Sequence, residues 1–355
     1  MKKNQLLQKT HNQRLPAKNR SRRGKINSHN NKSFLSGKKA TFALACYLQT
    51  AITVTKVRER THTLLCLILA ALLALPSCGV LHPRIPEGHV AASPTLPDYE
   101  PQGKVEEVVY PCSVPGPTTR RMIVYLPEGY YDSQERYPVI YLLHGARGHE
   151  TSWIRKGRML QITDSLFSNH LAVPAIVVMP NMNQYDDDYD YADSRPKKAF
   201  ESILEVDGTA EWAFTRDVVA TVDSLYRTIP DREHRAIAGM SIGGRQGITL
   251  AANEPDSYGY VAAFSPYMPV KGRNRHFREF YRGFHQRLDA QFLMQPPKGY
   301  YIMNGKSDPY SLGAKAYHRR LERKGYPHIW IETPGGHEWY NWSDYYARAV
   351  QLFFK

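Results

Sequence analysis

A chain of 355 residues suits one large α/β domain with extensions, or two average domains. Its 42% apolar and 12% aromatic residues can build a sizeable core, which excludes a wholly disordered chain. The formal charge of +14 invites a nucleic-acid partner, but its distribution removes that class: residues 1–56 hold 13 Lys and Arg and no acidic residue, whereas Gly79–Lys355 carries 32 basic and 32 acidic residues. A field able to hold phosphate backbones would have to sit on the folded body, and the body is neutral.

In chain order, the first feature is an export signal. Arg58-Glu-Arg60-Thr-His-Thr63 precedes twelve apolar residues, Leu64–Leu75, and then Pro76-Ser77-Cys78. This is a charged flank, an apolar run of signal-peptide length and a small-residue end. Twelve helical residues cover about 18 Å, too little for a hydrocarbon core of about 30 Å. Leu75-Pro76-Ser77-Cys78 resembles the lipobox of bacterial lipoproteins, which implies residues 57–77 as signal peptide and lipidation of Cys78. The expectation is a membrane-anchored envelope protein facing the periplasm, since no acidic surface-export signal follows the cysteine. Residues 1–56 are read as a basic extension upstream of a mis-assigned gene start, with Val54 and Val57 as candidate starts; a genuine cytoplasmic extension is the competing reading. Cys112 is the one cysteine left in the mature body, which permits neither an internal disulfide nor a cysteine-based zinc site. The proline-rich stretch to Lys104 reads as a tether.

From Val105 to Lys355 the pattern is that of one α/β domain. Val105–Cys112 and Arg121–Leu126 read as an antiparallel opening pair. Val139–Leu143, Ala175–Met179, Ala236–Met240, Tyr260–Phe264, Tyr300–Met303 and Ile329–Glu332 are short continuous apolar runs, as expected of strands buried on both faces. Helical patterns cover Met159–Asn169, Trp212–Thr228, Gln246–Ala252, Leu312–Lys324 and Trp342–Phe354. Such alternation predicts a mostly parallel sheet covered on both sides, with function gathered where strands end. The connections after His144 and Ser265 are too short for a large cap domain, which predicts an open cleft.

Those strand ends carry a constellation for nucleophilic catalysis. Gly239-Met240-Ser241-Ile242-Gly243 has the form G-x-S-x-G between a strand and a helix, where a tight elbow lifts the serine hydroxyl clear of the sheet. The hydroxyl needs a base, and the base an orienting acid. Asp308 follows a strand and a glycine-containing turn, and His337 lies in the glycine-flanked loop after the last strand, giving the order Ser, acid, His of the α/β-hydrolase fold. Asp289 and Glu322 sit in polar helical patterns, and His328 at the wrong end of its strand. The two oxyanion donors are expected from the backbone of Ile242 and Ala146, with His144 a structural residue of the latter's loop. Trp153, Tyr267 and Trp339 adjoin strand ends and are candidates for a substrate pocket or for core packing. Asp186, Asp187, Asp188, Asp190 and Asp193 lack the glycine and closing glutamate of an EF-hand, so they read as a solvated loop near the pocket mouth. Neither a cofactor nor a metal is expected.

Asp231-Arg-Glu-His-Arg-Ala-Ile-Ala-Gly-Met-Ser241-Ile-Gly-Gly244 resembles the Putative esterase family of α/β-hydrolases, which includes feruloyl and acetyl xylan esterases, tributyrin esterases and mycolyltransferases. Tyr141-Leu-Leu-His-Gly145 with Trp153, Val177-Val-Met-Pro-Asn181 and Gly335-Gly-His-Glu-Trp339 fit the same pattern, and the likeness runs over about residues 105–355. It implies Ser241, Asp308 and His337 as nucleophile, acid and base. It also implies a carboxylic ester as substrate, with short acyl, acetyl or feruloyl groups, on carbohydrate among other carriers. An acyltransferase of the same fold and a binding lipoprotein that kept the fold without the chemistry are the alternatives.

Overall fold

The central strands form because their sequences offer apolar side chains to both faces at once. Val139–Leu143, Ile176–Pro180, Arg235–Met240, Tyr260–Phe264 and Gly299–Gly305 bury every residue. They appear in a computed structural model of the chain that describes residues 89–92, 99–183, 209–274 and 276–355. The residues read as extension, signal peptide and lipidation site, Cys78 included, and the acidic loop Asp186–Asp193, lie outside the described residues.

The strands are β1 (His89–Ala92), β2 (Lys104–Pro111), β3 (Thr119–Leu126), β4 (Val139–Leu143), β5 (Ile176–Pro180), β6 (Arg235–Met240), β7 (Tyr260–Phe264), β8 (Gly299–Gly305) and β9 (Ile329–Thr333). Among the described residues they make one nine-stranded sheet, ordered β1-β2-β3-β5-β4-β6-β7-β8-β9. The pairs β1/β2, β2/β3 and β3/β5 are antiparallel, and every pair from β5 to β9 is parallel. Register aligns Leu143 with Gly239, Gly239 with Ala263, and Ala263 with Ile302. The carboxyl ends of β4, β6, β7 and β8 therefore share one edge, and the loops leaving them meet there.

Alternation along each strand sorts the core into two layers. From β4, Val139, Tyr141 and Leu143 enter one cluster with Ile248 of α4 (Ile242–Asn253), Phe284 and Leu288 of α6 (Phe284–Met294) and Leu321 of α7 (Ser311–Lys324). Ile140 and Leu142 enter the other, with Leu160 of α2 (Met159–Ser168) and Tyr345, Tyr346 and Ala349 of α8 (Trp339–Val350). Three short helices complete the described set: α1 (Ser152–Arg155), α3 (Ala220–Leu225) and α5 (Phe277–Tyr281).

Four details differ from the sequence expectation. The proline-rich stretch is more than a tether, because His89–Ala92 pairs with β2 as an edge strand. The helix expected over Trp212–Thr228 opens as a π-helical turn at Thr215–Val219 and stops at Leu225; Tyr226 turns extended, and Thr228 bridges to Tyr137. The helices α5 and α6, with Phe280, Phe284, Leu288 and Phe292 buried, pack on the sheet face, where the sequence offered only a polar helical pattern around Asp289. At the far edge β9 is only partly buried, with Ile329 49% exposed, and among the described residues no strand lies beyond it.

The segment entering β2 is pinned by one buried carboxylate. Asp164 on α2 accepts bonds from the Tyr125 hydroxyl (2.5 Å), the Tyr99 hydroxyl (2.7 Å) and the Gln102 amide (2.9 Å). Its removal strands three donors, two of them phenols whose proton affinity burial and this carboxylate already push up. Asp164→Ala is expected to lower unfolding stability by about 3 kcal/mol, read as a reduced denaturant midpoint at unchanged slope.

Candidate active site

Ser241 occupies the turn between β6 and α4 at φ 55°, ψ −114°, a region that costs a non-glycine residue of order 1–3 kcal/mol. Its amide donates to Phe264 O (2.8 Å), and its carbonyl accepts from Tyr267 N (2.9 Å) and Arg245 N (3.1 Å). The flanking glycines explain why the motif needs them. A Cβ on Gly239 would stand 2.7 Å from the Gly243 carbonyl carbon, and one on Gly243 2.5 Å from His144 O. The elbow is thus wedged between β4 and α4, and only bare backbone fits.

The Ser241 hydroxyl lies 2.9 Å from His337 Nε2, and His337 Nδ1 lies 2.8 Å from Asp308 Oδ2. Three residues from three separate loops form one continuous hydrogen-bonded chain. Asp308 is 3% exposed, and its other oxygen accepts the Tyr310 amide at 2.8 Å. Burial pushes the Asp308 carboxyl up, but the bond and charge of His337, with the Tyr310 amide, outweigh it and hold it below its ordinary value. A carboxylate facing Nδ1 keeps that nitrogen protonated and Nε2 available to accept the serine proton. The loops are tied to each other: Lys306 N donates to Thr333 O (2.8 Å) and Ser307 N to Gly335 O (3.0 Å). The rings of Tyr310 and Trp342 stand edge-on to the imidazole, each with its centroid 4.8 Å away.

A cleft of about 390 Å³ opens over Ser241 and is lined by His337, Ala146, Ile242, Tyr267 and Trp339. Ala146 and Ile242 thus border the serine, as donors for an oxyanion must. Trp153 does not line the cleft. It is 1% exposed, donates its indole N–H to Leu143 O (3.0 Å) and meets Trp339 edge-on at 5.3 Å. Of the two roles open to it from sequence, the structure gives it core packing behind Trp339. Asp289 instead pairs with Arg320 and Lys324, Glu322 with His318, and His328 with His318. Sequence reasoning missed Arg147, Lys156, Tyr310 and Trp342, which also line the cleft. For Tyr310 a signal existed: an aspartate two residues before it invites the turn whose amide caps the acid.

Among the described residues no group of His, Cys, Asp and Glu is placed to hold a metal ion. His144 is buried in the loop carrying Ala146, where its Nε2 accepts the Met182 amide (2.9 Å) and its Nδ1–H donates to Gly145 O (2.8 Å). Accepting the Met182 amide requires an unprotonated Nε2 and hence the neutral ring, so this histidine braces the loop and is no second base.

Residues 116–351 match the family described as Putative esterase. An endo-1,4-beta-xylanase/feruloyl esterase of Xylanibacter ruminicola is 34% identical over 152 residues, 41% of this chain and 20% of that protein. The chain therefore spans about a fifth of the length of that curated relative. A ferulic acid esterase of the anaerobic fungus Anaeromyces mucronatus, solved with ferulic acid, is 25% identical with a TM-score of 0.57, covering 74% of this chain and 94% of that one. An S-formylglutathione hydrolase of Staphylococcus aureus shares the fold at 18% identity and a TM-score of 0.54, covering 71% of this chain and 99% of that one.

Burial lowers the His144 pKa from 6.5 to about 4. Below pH 6.5 the unfolded chain takes up a proton that the native ring refuses until about pH 4, so stability is lost as pH falls through that window. The expected loss is about 3 kcal/mol. Denaturant titrations across this window are expected to show a flatter slope for His144→Gln than for the parent protein.

Proposed function

The chain belongs to the Putative esterase family, and on that footing we propose that it is a serine esterase, a carboxylic ester hydrolase working through an acyl-enzyme on Ser241. The observation that carries this reading is the unbroken Ser241–His337–Asp308 chain on a strained elbow. His337 Nε2 takes the hydroxyl proton as Oγ attacks the ester carbonyl, and the amides of Ala146 and Ile242 receive the oxyanion. The imidazolium then returns the proton to the departing alcohol. Water, activated by the same nitrogen, releases the acid and restores Ser241.

The cleft supports short or flat acyl groups. Tyr267, Tyr310, Trp339 and Trp342 offer ring surfaces for an aromatic acyl. Its volume gives little room for a long alkyl chain, whose binding would require burial at about 0.8 kcal/mol per CH₂. The names of the relatives, an endo-1,4-beta-xylanase/feruloyl esterase and a ferulic acid esterase, support feruloyl esters on carbohydrate. We further propose a periplasm-facing lipoprotein anchored through Cys78, on the strength of the apolar run Leu64–Leu75 and the cysteine that follows.

A protein starting at Gly79 is expected to hydrolyse p-nitrophenyl acetate or butyrate faster than the palmitate. Ser241→Ala should abolish turnover by about 100,000-fold or more, and Asp308→Asn should cost about 10,000-fold in kcat. A rate that peaks at acyl chains of twelve carbons or more would contradict the short-acyl reading. For the anchor, labelling with a palmitate analogue should disappear in Cys78→Ala, and equal labelling of both proteins would remove it.

A further inference from the structure

We propose that the alcohol side of the site is built for a carbohydrate that carries carboxylate groups, bound along a cationic groove leading out of the cleft. The proposal rests on the esterase reading and names the substrate class of that same site.

The groove is a second depression of about 700 Å³ that shares Lys156 and Trp339 with the cleft over Ser241. A ligand with its ester carbonyl at Ser241 can therefore continue into it without leaving the protein surface. Among the described residues its charge is one-sided. Arg147 and Lys156 line the cleft, whose described lining holds no Asp or Glu. Arg158 joins Lys156 in the groove. There the described carboxylate is Asp344, which already accepts from Arg348 Nε at 2.8 Å. Arg147, Lys156 and Arg158 are all exposed, and among the described residues their side chains make no ion pair or hydrogen bond. Among the described residues, then, two cations at the cleft over Ser241 and a third in the groove beyond it stand without a carboxylate partner.

The backbone adds an independent observation. Arg147 and Arg158 adopt φ 61° and φ 51°. Both lie in the left-handed region where glycine is the economical residue, and a glycine stands next to each, Gly148 and Gly157. Keeping arginine at such positions holds a cationic side chain where bare backbone would fit with less strain.

The rest of the lining suits sugar better than a bare anion. Tyr340 is 82% exposed and lies beside Trp339, offering ring faces to the C–H faces of a pyranose. Gln161 and Ser165 supply amide and hydroxyl groups for sugar hydroxyls. Cations distributed from the cleft into the groove match carboxylates carried as single substituents along a glycan, with Arg offering bidentate geometry to each.

The test uses the Ser241→Ala protein starting at Gly79, so that binding is read without turnover. Calorimetry compares a xylo-oligosaccharide bearing a uronic acid with the unsubstituted oligosaccharide of equal length. The acidic sugar should bind roughly tenfold more tightly at low ionic strength, and the preference should collapse in about 1 M salt. It should also be lost in Lys156→Glu and in Arg158→Glu. Equal affinity for the two sugars, or a preference that survives both substitutions, would overturn the proposal. So would sedimentation with phosphatidylglycerol vesicles in the absence of binding to the acidic sugar, which would make the patch a membrane-facing surface. Hydrolysis of p-nitrophenyl acetate by the protein with Ser241 intact keeps the two readings apart. If that activity is absent the esterase reading itself fails, whereas activity without sugar discrimination removes only this inference.

Discussion

The site depends on a serine held in a backbone conformation that its side chain resists. At φ 55°, ψ −114°, Ser241 would relax in an isolated peptide. Here its amide is bonded to Phe264 of the neighbouring strand, its carbonyl to Tyr267 and Arg245, and the glycines on either side press against β4 and α4. The strain is sustained by the packing of the whole sheet. This is why β4, β6 and β7 are buried throughout, and why the alternation of Val139, Tyr141 and Leu143 against Ile140 and Leu142 matters to chemistry as well as to stability.

The parallel register carries that rigidity to the partners. Because β6, β7, β8 and β9 end at one edge, loops far apart in sequence deliver Ser241, Asp308 and His337 within hydrogen-bond reach. Bonds between the loops, from Lys306 to Thr333 and from Ser307 to Gly335, fix acid against base before any substrate arrives. The buried Asp308 stays ionised because its bonds outweigh its desolvation, and its charge holds the imidazole in the tautomer that accepts a proton. His144 does a different job with the same ring: buried and neutral, it braces the loop of Ala146.

Much of this was legible in the sequence because the relevant signals are local. Continuous apolar runs marked β4 to β8, and G-x-S-x-G between a strand and a helix marked the elbow. Asp308 and His337 followed from their places after the last two strands. What escaped depended on tertiary contact. His89–Ala92 becomes a strand only because β2 offers it an edge, and nothing in four residues announces that. The helix α6 mixes aromatic and polar residues, and its apolar face is evident only against the sheet. Trp153 looked as well placed for the pocket as Trp339, and the difference is that Trp153 is buried with its ring against Trp339, while Trp339 lines the cleft. Arg147 and Lys156 carry no motif, and only the cleft reveals their position.

The central claim is that the elbow, and the base behind it, make one serine reactive. The most direct measurement is intact-protein and peptide mass spectrometry after exposure to a fluorophosphonate probe, with the labelling rate followed in parallel for His337→Ala. The account predicts a single adduct on the peptide containing Ser241, formed far more slowly when the imidazole is removed. No adduct on the folded protein, or an adduct on another serine at a rate indifferent to His337, would contradict it.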